Sequence, residues 1–372
     1  MERKKNKLPA QTAIPSTALQ PGSAAFKNLQ IDLFQTFLCN TPDEKERLSN
    51  TIDLWDSIPR YSFSRQAMAK IRTDKGFLDL LKLDFNYKGM ALKAIIQPAR
   101  IEDTDGTAQD YYPSANEELV EDALRKIAAE QCQGYFDKPN FRCGVVFTLH
   151  MLRMELKKMG HARSYQQIVL SLNILSGSVI ELRTADGKSP DASSRSPYFP
   201  SLSAVSRQKL ASDPDAKWVV QFHPLVTQSI DAIAYRQFNY QQMMAHTTQL
   251  ARWLHKQLVL KFTFASLITT FETRYSTIKR DSGLLQSYAR ERAAIETLDT
   301  AIGELKCNGV LSSVQKKEIR GARSKLEDVV YILAPSRDFV SHTKAANKRH
   351  ADASEKLARS AEKQGTTFPI KR

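Results

Sequence analysis

Cysteine is scarce: four residues in 372, Cys39, Cys132, Cys143 and Cys307, lie far apart with no Cys-x-x-Cys pair. That spacing supports neither a zinc ribbon nor a disulfide framework, so the thiols read as reduced and mostly buried. Long apolar runs are missing too. Nothing approaches the roughly 18 to 20 apolar residues needed to span a bilayer, and the start, MERKKNKLPAQTAIPSTALQPGS, has no apolar signal core. A soluble, cytoplasmic chain with no membrane partner is expected. The seven histidines, at 150, 161, 223, 246, 255, 342 and 350, form no His-x-His or His-Glu-x-x-His spacing, which argues against a metal-dependent nickase. Gly187-Lys188-Ser189 imitates the end of a phosphate loop, but Leu182 stands where its first glycine belongs. An ATPase is disfavoured; no cofactor, metal or catalytic residue is expected, and the chain does not read as an enzyme.

Positive charge, by contrast, is abundant. Lys and Arg number 54 against 40 Asp and Glu, a formal charge of +14, while 42% hydrophobic content suffices for two or three domains with real cores. A polyanionic partner such as nucleic acid or an anionic membrane surface is favoured, and charge alone does not choose between them.

Residues Arg142 to Glu181 carry the most local information. Val145, Leu149, Leu152, Leu156 and Met159 follow helical spacing, with Lys157 and Lys158 at the C-terminal end and Gly160 as the stop. After a basic turn containing Arg163, Ser164 and Gln167 make a capping box. Tyr165, Ile168, Val169, Leu172 and Leu175 then face a core. Ser178 to Arg183 alternates as a strand, 184–214 is a polar insertion, and Lys217 to Phe222 is a returning strand. Helix, turn, helix, strand, wing, strand is the order of a winged-helix DNA reader.

Upstream, Glu44 to Arg60 is expected to be a helix with Leu48, Ile52 and Trp55 on one side, and Leu92 to Ile101 a strand broken at Pro98. Ser114 to Glu117 is a capping box that opens a helix with Leu119, Val120, Ala123, Leu124 and Ile127 inward. A long helix from Asn239 to about Lys261 opens a second unit that repeats the architecture. It continues with a helix around Thr269 to Lys279, a helix from Tyr288 to Lys306, and a hairpin with a basic tip at Lys316, Lys317, Arg320, Arg323 and Lys325. In the Tyr288 to Lys306 helix, Ile295, Leu298, Ile302 and Leu305 form the core stripe, leaving Arg290, Ala293, Thr297, Thr300 and Glu304 outward. Such a face suits a major groove: Arg290 for guanine, Ala293 and Thr297 for close approach and thymine methyls, Glu296 for cytosine.

Several strings together resemble the initiators of theta-replicating bacterial plasmids, the tandem winged-helix family of the TrfA/RepA-like type. They are LSNTIDLWDSIPRYS, YYPSANEELVEDALRKIA, GVVFTLHMLRMELKKMGHARSYQQIVLSLNILSGSVIEL, FHPLVTQSIDAIAYRQFNY and TIKRDSGLL, spread over about residues 38–345. The resemblance implies an α+β chain of two tandem winged-helix domains behind a partly disordered N-terminal arm. The arm would cover 1–37, a helical extension 38–85, the first winged domain 86–230, the second 231–345 and a basic tail 346–372. It further implies binding to directly repeated origin sequences (iterons), opening of an adjacent A+T-rich stretch, and recruitment of the host replicative helicase and its loader. A homodimer in equilibrium with monomer is implied as well.

Base reading would fall to the second domain, on Arg290, Arg292, Ala293 and Thr297 with Lys279 and Arg280, and wing contacts to Lys316, Lys317, Arg320 and Arg323. The first domain would contact the DNA backbone, with Lys157 and Arg163 as its candidates, and mediate dimerisation; the outward apolar Leu170 and Ile174 would serve a subunit contact or pack beneath the wing. Gln30-Ile31-Asp32-Leu33-Phe34 is similar to the pentapeptide by which bacterial replication proteins hold the sliding clamp, where a Leu-Phe pair fills an apolar pocket. A transcriptional repressor is the alternative function that two such units would serve.

Overall fold

The computed structural model describes residues 46–103, 106–129, 133–137, 140–184, 195–204, 216–322 and 325–363. The chain is a mixed α+β protein, and every paired strand among the described residues is antiparallel.

In the first half, a four-stranded sheet runs in the order Leu81–Tyr87, Met90–Gln97, Val179–Thr184, Arg195–Pro197. The helix Tyr165–Gly177 packs on its Arg195–Pro197 strand, while the helices Ala115–Ala129 and Leu149–Lys158 pack against the strand Arg142–Thr148. The capping box is present at Tyr165–Gly177: the Ser164 hydroxyl accepts from Gln167 N and the Gln167 side chain accepts from Ser164 N. Thr148 caps the helix before it, accepting from Met151 N, so that helix begins at Leu149 and Val145 belongs to the strand Arg142–Thr148.

The structure departs from the local pattern in four further places. Leu48–Ile52 is a strand rather than the start of a helix, because it zips against Tyr235–Asn239 from Leu48↔Asn239 to Ile52↔Tyr235; only Asp53–Ser57 is helical. Lys217–Gln221 does not return to the strand at 179. It joins Arg142–Thr148 in a second four-stranded sheet, where Val145, Phe147, Trp218 and Val220 are all buried. The strand Val179–Thr184 instead pairs with Arg195–Pro197 and Met90–Gln97. The long helix from Asn239 is two, Tyr240–Met244 and Gln249–Lys261, the second capped by the Thr248 hydroxyl.

The second half runs Gln249–Lys261 helix, Phe271–Arg274 strand, Tyr275–Ser282 helix, Glu291–Cys307 helix, then the hairpin Leu311–Arg320 and Leu326–Pro335, whose second strand is central in the three-stranded sheet. The segment around Thr269 thus enters as a strand and becomes helical only at Tyr275. The end of the chain is helical from Arg337 to Lys363; Phe339, Val340, Ala346 and Ala353 are buried along it.

The two halves meet over a buried ionic lattice. Asp56 accepts five hydrogen bonds, from Thr51 Oγ1 (2.9 Å), Ile52 N (2.7 Å), Arg60 Nη2 (2.9 Å) and both terminal nitrogens of Arg125 (2.7 and 2.9 Å). Glu121 accepts from Trp55 Nε1, Arg60 and the Tyr61 hydroxyl. Glu118 and Asp122, one helical turn apart, face Arg252 and Lys256, also one turn apart, so the Ala115–Ala129 and Gln249–Lys261 helices are laddered together: Arg252–Glu118 is 3.3 Å and Lys256–Asp122 is 2.5 Å. Burial opposes ionisation of Asp56, but the Arg125 and Arg60 guanidiniums hold its carboxyl well below the usual carboxylate range.

Candidate nucleic-acid interface

Three carboxylates tether the helix Glu291–Cys307 to its neighbours, Glu291 from a largely exposed position. At its start Glu291 accepts from the Lys279 ammonium and the Tyr275 hydroxyl. In its middle Asp299 accepts from Lys316 Nζ (2.6 Å) and the Tyr331 hydroxyl (2.7 Å), binding helix to hairpin. Near its end Glu304 accepts from Thr247 N (2.7 Å), Thr247 Oγ1 (2.9 Å) and Thr248 N, at the mouth of the Gln249–Lys261 helix. Glu304 is therefore not outward, as the stripe predicts, but occupied at a neighbouring helix end; burial resists its charge while the Thr248 and Thr247 donors pull its pKa down.

The opposite face carries the sequence candidates. Ala294, Ile295, Leu298, Ala301, Ile302 and Leu305 are buried, whereas Arg290, Arg292, Glu296 and Thr300 are exposed and Ala293 and Thr297 half-buried. Arg292 is 91% exposed at its side chain and pairs with Glu296 at 3.2 Å, a contact weak enough to be exchanged for another anion. Arg290, the residue before the helix, has no hydrogen bond or ion pair from its side chain among the described residues. The hydroxyls of Thr297 and Thr300 donate to the carbonyls of Ala293 and Glu296, both at 2.9 Å. With the hydroxyls turned back onto their own helix, the threonines offer methyl groups outward.

The hairpin splits its cations between two faces, because side chains alternate along Leu311–Arg320. Lys316 leans on Asp299 and Arg320 on Glu318 (2.6 Å), while Lys317, between them, points to the other face with no ion pair among the described residues. Arg323 lies outside the described residues, as do Gln30, Ile31, Asp32, Leu33 and Phe34 and the segment 187–189. Arg280 is engaged with Asp281 at 2.7 Å, and Asp281 also accepts Asn86 N (3.0 Å) from the first sheet.

Lys157 and Arg163 stand on the other helix pair. Lys157 is exposed at the end of Leu149–Lys158; Arg163 donates to Asn116 Oδ1 (3.0 Å) and to the Ala162 carbonyl (2.9 Å), and burial, then the nearby Arg252 charge, lowers its pKa. Leu170 is half-buried and Ile174 fully buried, so Ile174 packs in the core and is not an outward apolar contact. Sequence reasoning missed the exposed turn Gln286, Ser287 and Tyr288 before Arg290, and the tethers at Asp299 and Glu304, whose only signal is a carboxylate on the half-buried flank of an amphipathic helix.

Among the described residues no group of three His, Cys, Asp or Glu side chains could hold a metal, and no helix is long and apolar enough to cross a membrane. Of the thiols there, Cys143 is buried and Cys307 exposed.

The described residues thus define a mixed α+β protein in which the helix Glu291–Cys307 is tethered by three carboxylates and flanked by a basic hairpin. No protein-family model matches the chain, and no curated protein does either. Among solved structures, the chain is similar to domains 2 and 3 of RctB in two crystal structures. One, of the selenomethionine derivatives, has TM-score 0.43 and 10% identity and covers 69% of this chain and 91% of that one. The other has TM-score 0.42 and 10% identity and covers 74% and 97%. It is also similar to the Pi initiator protein in complex with iteron DNA, with TM-score 0.34, 10% identity and coverage of 79% and 99%.

Proposed function

We propose that this chain is a sequence-specific double-stranded DNA-binding replication initiator of the theta-plasmid type, built on two winged-helix units at about 86–230 and 231–345. The observation that carries the reading is the outer face of Glu291–Cys307. Two guanidiniums, Arg290 and Arg292, lie at its start, small Ala293 allows close approach, and the methyls of Thr297 and Thr300 face outward beside a basic hairpin. Guanidinium forks match guanine edges and methyls match thymine. The resemblance of the five sequence strings supports the same reading.

Base contacts fall to Arg290, Arg292, Ala293 and Thr297, and phosphate contacts to Lys317, Arg320 and Arg323, with Lys316 held on Asp299 and with Lys157 and Arg163 on the first unit. The sites are direct repeats. Binding several in register bends the DNA and strains an A+T-rich neighbour whose pyrimidine–purine steps unstack at least cost. The chain works by binding energy, with no bond made or broken in the DNA. It passes through a monomer–homodimer equilibrium, engages the host helicase and its loader, and holds the sliding clamp through residues 30–34.

The test is a footprint of the full chain on DNA flanking its own gene, with excess random competitor and permanganate probing of thymines. Regularly spaced protected repeats beside reactive thymines support the initiator. A single protected palindrome without melting points to a repressor, and no specific protection refutes both.

A further inference from the structure

The first turn of the Glu291–Cys307 helix has no ordinary cap, since the Arg290 side chain makes no capping bond. The turn before it is loosely held as well: Gln286 to Arg290 are five consecutive exposed residues, and none has a side-chain hydrogen bond among the described residues. What ties the helix start down is Glu291. One carboxylate oxygen takes the Lys279 ammonium and the other the Tyr275 hydroxyl. Tyr275 and Lys279 lie one turn apart on the preceding helix, and the Tyr275 ring is buried. The first turn of that helix is bound in turn to the hairpin, where Ser276 donates through N (3.1 Å) and Oγ (2.6 Å) to Asp328.

We propose that Glu291, Lys279 and Tyr275 form a clasp that sets the position and rotation of the reading helix, with Lys279 a positioning residue and not a phosphate contact. Arg290 at the N-cap and Arg292 in the first turn flank Glu291 in the chain, so tying Glu291 to the preceding helix fixes where both guanidiniums lie. Released, the carboxylate would sit between those guanidiniums and repel the phosphates they approach. The lysine ammonium is already neutralised by a carboxylate it shares with a buried tyrosine. It therefore has little charge left for counterion release, unlike Lys317, which has no ion pair among the described residues. The DNA-binding half of this inference rests on the proposed function; the clasp does not.

Two readouts on the full-length chain separate them. In the free protein, amide exchange over residues 284–294 rises about fivefold or more in Glu291→Gln and Lys279→Met, is unchanged in Lys317→Ala, and is restored toward wild type in the charge-swapped Lys279→Glu/Glu291→Lys double variant. Unchanged exchange in both single variants overturns the clasp. In binding titrations against the footprinted site and random DNA, Lys279→Met lowers the ratio of specific to random affinity several-fold but leaves the slope of log K against log salt as in wild type. Lys317→Ala reduces that slope by about 0.9 and spares the ratio. A slope reduced by about one in Lys279→Met, with its ratio intact, makes Lys279 a phosphate contact and overturns its positioning role. Wild-type protein that discriminates no DNA sequence removes the proposed function, and the exchange result then decides the clasp alone.

Discussion

Replacing Asp56 by asparagine preserves the shape of the side chain and removes its charge. In the fold Asp56 is 3% exposed and takes five hydrogen bonds, three on Oδ2 from Thr51, Ile52 N and Arg125 and two on Oδ1 from Arg60 and Arg125. An amide keeps one acceptor oxygen. Its NH2 group must then face either Arg60 and Arg125 or Thr51, Ile52 N and Arg125, so at least two donors lose their partner whichever way it turns. Arg60 and Arg125 keep Glu121 and Asp122 as counter-charges, which limits the damage. Breaking one partner out of a buried ion pair typically costs 3 to 5 kcal/mol, and the remaining carboxylates place this case near the lower end, about 3 kcal/mol.

The assay is urea unfolding followed by the emission of Trp55, Trp218 and Trp253, which report the lattice, the first half and the Gln249–Lys261 helix. With a denaturant slope of about 3 kcal/mol/M the midpoint should fall by about 1 M. Arg292→Ala, which removes an exposed pair, should change the unfolding free energy by less than about 0.5 kcal/mol. An Asp56→Asn loss below about 1 kcal/mol would refute the claim that the lattice holds the halves together. So would Trp→Phe variants, otherwise unaltered, in which the Trp218 and Trp253 signals melt at different urea concentrations.

Acid should destabilise the protein through its buried histidines. Burial, then Arg60, lowers the His223 pKa to about 3; burial lowers His246 to about 4, and burial, then His246, holds His255 well below its usual value. These groups are neutral in the fold and take up protons on unfolding below about pH 6.5. Their stabilisation is thus complete above pH 6.5 and is lost as pH falls, at up to about 1.4 kcal/mol per pH unit for each histidine. Unfolding free energies at pH 7.5, 6.0 and 5.0 test this, and flat values across that range would contradict it. Gly283→Ala should cost more than about 1 kcal/mol, because φ is +67° and an added Cβ would lie 2.4 Å from Ser62 Oγ; a thermal melt unchanged from wild type would refute that. Lys317→Ala should weaken binding to all sequences alike, seen as parallel shifts of specific and random titrations; a loss confined to the specific site would mean Lys317 reads bases.

The parts legible in the sequence were those whose signal is local. Ser164 with Gln167 and the 3.6-residue stripe of Ile295, Leu298, Ile302 and Leu305 stand where the pattern puts them; the hairpin forms, but Lys316, Lys317 and Arg320 lie in its first strand and not at its tip. Misreadings arose where distant pairing outweighs local spacing. Leu48, Ile52 and Trp55 satisfy a helix, yet Leu48–Ile52 gains a strand partner some 185 residues away. Lys217–Gln221 prefers the apolar strand carrying Val145 and Phe147 to a wing. The ionic lattice was hidden for a related reason: on a single helix Glu118, Asp122, Arg125 and Lys126 look like a solvated face, and only the second helix with Arg252 and Lys256 reveals them as interior. At the candidate interface the outward residues were legible from periodicity, but Glu304 and Asp299 fell on the boundary between faces, where the stripe does not decide direction.

The most direct test of the central claim is a base-by-base affinity profile of the protected repeat, measured for wild type and for Arg290→Ala at one fixed salt concentration. Wild type should lose about 1 to 3 kcal/mol at each contacted base pair, and Arg290→Ala should abolish discrimination at one guanine position while retaining the rest. A variant that binds every sequence less tightly by the same factor, with the wild-type profile intact, would show that this helix does not read bases.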